Sequence, residues 1–126
     1  MRIAFTVHKF PPESLGGTEI YTWSVARALA AQGHAVSVFY PLADVPAAEK
    51  RVQRDGVQLW RAPLPADRPR ENPVTQYWHT FRDTAIEADF AAFLDEVQPD
   101  LIHYQHVQGV SAQLIAAGRG RPRVAT

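Results

Sequence analysis

Two stretches of this chain carry groups suited to holding a polar ligand. In the first, Gly16 and Gly17 are followed by Thr18 and Glu19. A glycine pair at the start of a helix leaves backbone N–H groups uncovered, and the helix dipole there favours an anion. A diphosphate or a sugar hydroxyl could therefore approach closely. The same glycines would also serve a plain turn into the helix. Glu19 has two readings as well. It is a first-turn carboxylate stabilised by the dipole by roughly a few tenths of a kcal/mol, or an acceptor for polyol hydroxyls that would oppose an anion beside it. The second stretch is His103, Tyr104, Gln105 and His106. Imidazole, amide and phenol groups bond well to sugar hydroxyls, and His106 could serve in acid–base work. Histidines three apart on a strand begin on different faces, so His106 swings over a crevice only after the strand breaks. Otherwise His103 is a satisfied strand residue and His106 a plain loop residue. No third ligand accompanies them at zinc spacing, and the chain has no cysteine, so no metal site is expected.

The elements that must position these residues follow from apolar patterning. Residues 2–7 (Arg-Ile-Ala-Phe-Thr-Val) read as a buried strand, and residues 10–17 as a loop, since Pro11-Pro12 forbids helix. From residue 18 to 32, Ile20, Trp23, Ala26, Leu29 and Ala30 recur at helical spacing, with Gly33 as terminator. Residues 35–40 form a second strand stopped by Pro41, which completes a βαβ unit. A helical turn around residues 47–54 and a third strand at 57–62 come next, then a proline-rich surface loop at 63–73. Asn72-Pro73 is a helix start. The long amphipathic helix that it opens carries Tyr77, Trp78, Phe81, Phe93, Leu94 and Val97 at core spacing, and Pro99 ends it. Its polar side is acidic, which disfavours docking on an anionic membrane. A fourth strand at 101–104, a short helix at 110–117 and the start of a fifth strand at 123–125 complete the chain. The fold class is α/β, a Rossmann-like doubly wound parallel sheet in three α/β/α layers. Its binding crevice lies at the carboxyl ends of the strands, among the loops 8–17, 41–47 and 105–109.

Composition narrows the function. The chain has 126 residues, 46% of them hydrophobic, enough for one domain with a real core. Thirteen basic and thirteen acidic residues cancel, which removes the simplest argument for a nucleic-acid partner. The glycines are adjacent and late rather than spaced as G-x-G-x-x-G, no G-K-[ST] occurs, and no aspartate ends the first strand. Dinucleotide, nucleoside-triphosphate and phospho-acceptor readings all fall away. Arg119, Arg121 and Arg123 could meet a phosphate or simply form a solvated connection.

Phe10-Pro11-Pro12, then Gly16-Gly17-Thr18-Glu19, then a helix closing on Leu29-Ala30-Ala31-Gln32-Gly33-His34, resembles the amino-terminal domain of family-4 glycosyltransferases of the GT-B fold. The run from Gln98 to His106, Val110-Ser111 and the segment from Pro122 to Thr126 fit the same pattern. The resemblance implies domain 1–126 as the acceptor-side half of a two-domain enzyme, truncated after its fifth strand and inactive alone, with the carboxy-terminal donor domain missing. It implies transfer of a hexosyl-type group from a nucleotide sugar to an unidentified acceptor with retention of configuration. The nucleotide sugar is then a substrate, and neither a cofactor nor a metal is implied. Gly16, Gly17 and Thr18 would lie against the donor phosphates or the reacting sugar, with Glu19 bordering the acceptor region. Many members have a His-x-His pair at the end of the fourth strand. Here Gln105 stands two after His103, so the sugar contact falls to Gln105 or His106, and His106 is favoured. Two other readings stay open: a nucleotide or sugar-phosphate binding module, and a flavodoxin-like interaction domain. A cytoplasmic location, peripheral to the inner membrane face in members with lipid acceptors, and self-association through a cut sheet edge near Val124 are further expectations.

Overall fold

The computed structural model describes residues 1–12, 14–64, 74, 81–106 and 110–125. Its elements are β1 (Arg2–Thr6), α1 (Gly17–Ala31), β2 (Ala35–Leu42), a 3-10 turn (Ala47–Glu49), β3 (Arg51–Arg54), β4 (Val57–Pro63), α2 (Thr84–Val97), β5 (Leu101–Tyr104), α3 (Gln113–Ala117) and β6 (Arg123–Ala125). The strands form one sheet in the order β3-β4-β2-β1-β5-β6. All neighbours are parallel except β3 and β4.

Alternation along the strands supplies two cores. Ile3, Phe5 and Val7 join Val38, Tyr40 and Leu59 beneath α1, where Ala26, Trp23 and Leu29 close the layer. Ala4, Phe39, Trp60, Ile102 and Tyr104 point the other way, onto Ile86, Phe90, Phe93 and Leu94 of α2 and Leu114 of α3. Because both faces are covered, the parallel strands read as apolar runs rather than as a polar–apolar alternation. The three-layer, doubly wound arrangement is the one expected.

Four local expectations are corrected. The helical turn expected around residues 47–54 is a 3-10 turn confined to Ala47–Glu49, and the rest is strand β3, which makes the sheet mixed rather than wholly parallel. Arg54 pairs with Val57 across Asp55 and Gly56, whose φ values of 50° and 80° make the two-residue turn that Asp-Gly favours between antiparallel strands. β2 continues through Pro41 to Leu42, since an extended strand accommodates proline's fixed φ and forgoes one ladder bond. The long helix is interrupted. Phe81 is helical, but α2 starts afresh at Thr84. There the Asp83 carboxylate accepts from the Ile86 N–H (3.2 Å), and Glu87 accepts from the Asp83 N–H (2.9 Å). α3 is confined to Gln113–Ala117. The acidic side of α2 is not bare either, because Lys50 pairs with Asp89 (3.0 Å) and Arg51 with Glu96 (2.9 Å). Most of the proline-rich stretch, the Asn72-Pro73 start, Tyr77, Trp78 and residues 107–109 lie outside the described residues.

Gly118 lets the chain after α3 cross close over β5. A Cβ there would collide with the Tyr104 hydroxyl and stand 2.9 Å from Ile102 Cδ1. That hydroxyl donates to the Leu114 carbonyl at 2.7 Å, and burial pushes its pKa up to about 12. Gly118→Ala is expected to destabilise the domain by about 1–3 kcal/mol, measurable by urea denaturation. An unchanged midpoint would mean that the crossing relaxes freely.

Candidate functional site

β1 leads through α1 to β2 on one side of the sheet's centre, while β5 leads through α3 to β6 on the other. Where strand order reverses in this way, the loops part and leave a crevice at the carboxyl ends of the two central strands. Register decides which residues stand there. Thr6 pairs with Tyr104, and the Gln105 N–H reaches the Thr6 carbonyl at 2.9 Å. His8 and His106, each two residues beyond the Thr6–Tyr104 pair, arrive at the mouth together. Their ring centroids are 4.2 Å apart and the planes are inclined by 36°.

The first loop brings a third group to this pair. Phe10 anchors the loop by packing on Trp23 (5.5 Å) and Tyr40 (5.1 Å), and the Pro11 carbonyl accepts from Arg54 at 2.7 Å. Gly16 is the N-cap of α1, so Glu19 falls in the first turn and can reach back toward the end of β1. Its carboxylate lies 3.3 Å from His8 Nε2 and is only 5% exposed. A Cβ at Gly16 would overlap that carboxylate, which identifies one use of the first glycine: it leaves room for Glu19. Gly17 differs. Among the described residues a Cβ there would meet nothing within 4 Å, so the second glycine keeps an open approach to the first turn of α1. The N–H groups of that turn, at Gly17, Thr18 and Glu19, have no intrahelical acceptor. The Thr18 carbonyl accepts from the Thr22 hydroxyl at 2.7 Å.

The second stretch divides by strand parity. His103 faces the α1 side, 5.3 Å from the Phe5 ring. Gln105 has the same parity, is 5% exposed, and its amide nitrogen lies 3.3 Å from His103 Nε2. Gln105 is thus turned inward onto His103, while His106 stands at the crevice against His8. Glu19 is neither an exposed first-turn carboxylate nor open to a polyol, because it is buried against His8. At the basic end, Arg121 bonds Gln98 (3.3 Å) and Arg123 bonds the Ile115 carbonyl (2.7 Å), so both serve the fold.

Sequence reasoning placed Gly16, Gly17, Thr18, Glu19, His103, Gln105 and His106 at one crevice; the structure links Glu19 through His8 to His106, and turns Gln105 onto His103 instead. It missed His8. The signal was its place at the carboxyl end of the first strand, but only the register with β5 shows that it meets His106.

Burial lowers the pKa of His8, and proximity to His106 lowers it further, while the Glu19 carboxylate opposes both. Burial lowers that of His103 as well. Both rings are therefore harder to protonate in the folded chain than in the unfolded one. Stability is complete above the ordinary histidine pKa of about 6.5 and falls as pH drops from there through the lowered values, because the unfolded chain binds more protons in that window. Thermal midpoints recorded from pH 7.5 to 5 should fall toward the acid end. The slope should flatten in a H8Q/H103Q double variant; an equal slope would assign the loss to other groups.

The arrangement can present an imidazole and uncovered backbone N–H groups to a polar or anionic ligand, and can hold a proton at His106. A family profile described as the glycosyl transferase 4-like domain matches residues 16–126. No curated protein sequence matches the chain. Among solved structures, sucrose-phosphate synthase from Thermosynechococcus elongatus superposes with a TM-score of 0.63 at 22% identity. The match covers 85% of this chain and 27% of that one, so the fold shared is that of about a quarter of the larger protein.

Proposed function

This chain belongs to the glycosyl transferase 4-like domain family, and from that premise we propose that it is the amino-terminal, acceptor-side domain of a retaining GT-B glycosyltransferase. The observation that supports this best is that His106 stands against His8, itself 3.3 Å from Glu19 in the first turn of α1, at the point where strand order reverses. In this reading a second domain holds most of a nucleotide-sugar donor, and its diphosphate is closed off by the backbone at Gly16, Gly17 and Thr18. The bond from the anomeric carbon to the phosphate oxygen breaks, and a bond from that carbon to an acceptor oxygen forms on the same face. The acceptor's proton passes to the departing nucleoside diphosphate. The helix end stabilises the charge that develops on the leaving group. His106 reaches the transferring sugar, with His103 and Gln105 buttressing the strand end behind it. Glu19 acts through His8, and the domain by itself does not turn over.

No helix among the described residues is long and apolar enough to cross a membrane. That accords with a cytoplasmic enzyme that meets its acceptor from solution or at a membrane face. The test is to assay the protein containing this domain against a panel of nucleotide sugars and acceptors, with the anomeric configuration of product read by NMR. Transfer with retention is expected. An inverted product would refute retention, and tight nucleotide-sugar binding without transfer would make the domain part of a binding module instead.

A further inference from the structure

Among the described residues at this crevice, His8 belongs to neither the glycine loop nor the strand-end pair that the proposed function uses. Its Nε2 lies 3.3 Å from the buried Glu19 carboxylate, and its ring, inclined by 36° to that of His106 with centroids 4.2 Å apart, is close enough to limit how that ring can turn. Its Nδ1 is buried and has no hydrogen-bond partner among the described residues. A carboxylate this near one ring nitrogen favours the tautomer with the proton on Nε2 and the lone pair on Nδ1. Glu19 is in turn held by α1 and by the space that Gly16 leaves. A chain of contacts thus runs from the amino end of α1 through Glu19 and His8 to His106.

We propose that His8, clamped by Glu19, is a positioning residue that fixes the His106 ring over the crevice and couples it to the glycine loop of α1. The inference rests on the glycosyl-transfer reading for its kinetic consequence, though not for the stack itself. The ionisable groups facing His8 are Glu19 from α1, His106 from the segment after β5, and Lys9 beside it in the chain. Burial and proximity to His106 disfavour a protonated His8, and the Glu19 carboxylate opposes them, so Glu19 helps to set the pH at which His8 takes up a proton against the His106 ring.

In the protein containing this domain, H8A should lower kcat by about 10²-fold, with KM for the nucleotide sugar nearly unchanged. H8F, which keeps a ring against His106 but loses the Glu19 contact, should recover part of that loss. E19Q should move the acid limb of the kcat profile to lower pH, which a merely structural role would not do. His106 ring protons, observed by NMR in the same variants, should shift in H8A and stay near their native positions in H8F. The proposal is overturned if H8A and H8F are equally impaired, if E19Q leaves the pH profile in place, or if the His106 signals ignore H8A. Absence of transfer by the wild type would instead refute the glycosyl-transfer reading, and the NMR comparison would still decide whether His8 positions His106.

Discussion

Gly17→Val should reduce turnover of the enzyme containing this domain by about 10²-fold while leaving its melting temperature almost unchanged. The two halves of this expectation come from different observations. Gly17 opens α1, and a Cβ there would meet nothing within 4 Å beyond its own turn among the described residues. Its φ is not in the left-handed region, so a branched side chain costs the fold little. The same open space is the approach to the uncovered N–H groups of the first turn, and an isopropyl group would hold a diphosphate away from them. Gly16→Ala provides the contrast. Its methyl group would enter the space of the Glu19 carboxylate, so it should perturb the His8 pairing and the packing of the loop together. If Gly17→Val lowers the melting temperature instead, the second glycine serves the turn and not a ligand.

The other large effect is expected from His106→Ala. On the proposed glycosyl-transfer reading, loss of a preorganised group at the reacting sugar should lower kcat by about 10²–10³-fold. The ring is half-buried at the rim of the crevice, outside the two hydrophobic cores, so stability should change little. Gln105→Ala separates the two candidates for the sugar contact. Gln105 is turned inward onto His103, so its removal should loosen the end of β5 and lower stability more than it lowers kcat at saturating donor. A variant pair with the reverse pattern would transfer the sugar contact to Gln105.

Much of the scaffold was legible because it depends on local patterning. The apolar runs at Ile3–Val7 and Val36–Tyr40 are buried on both faces, and that alone marks parallel strands between helices. Gly33 ends α1 with a φ of 93°, where a terminating glycine belongs. The errors also have local causes. Asp55-Gly56 is a hairpin signal that outweighed the weak helical tendency of residues 47–54. Asp83 with Glu87 is a helix start placed inside a longer periodic pattern, and periodicity does not register such a break.

By itself the sequence determined the α/β layering, the crevice at the strand ends, and the presence there of a glycine pair, a first-turn glutamate and a strand-end histidine. These follow from near-neighbour physics: where proline and glycine break the chain, and which residues repeat at strand or helix spacing. Only the tertiary structure decided what those residues do to one another. Whether Gln105 or His106 faces the crevice depends on strand parity at the end of β5. Whether His8 counts at all depends on the register of β1 with β5, across nearly a hundred residues of chain. Whether Glu19 is solvated or buried depends on how closely the first turn of α1 approaches the end of β1. Such long-range separations are fixed by packing the sheet between its helices, and no spacing within a single segment encodes them.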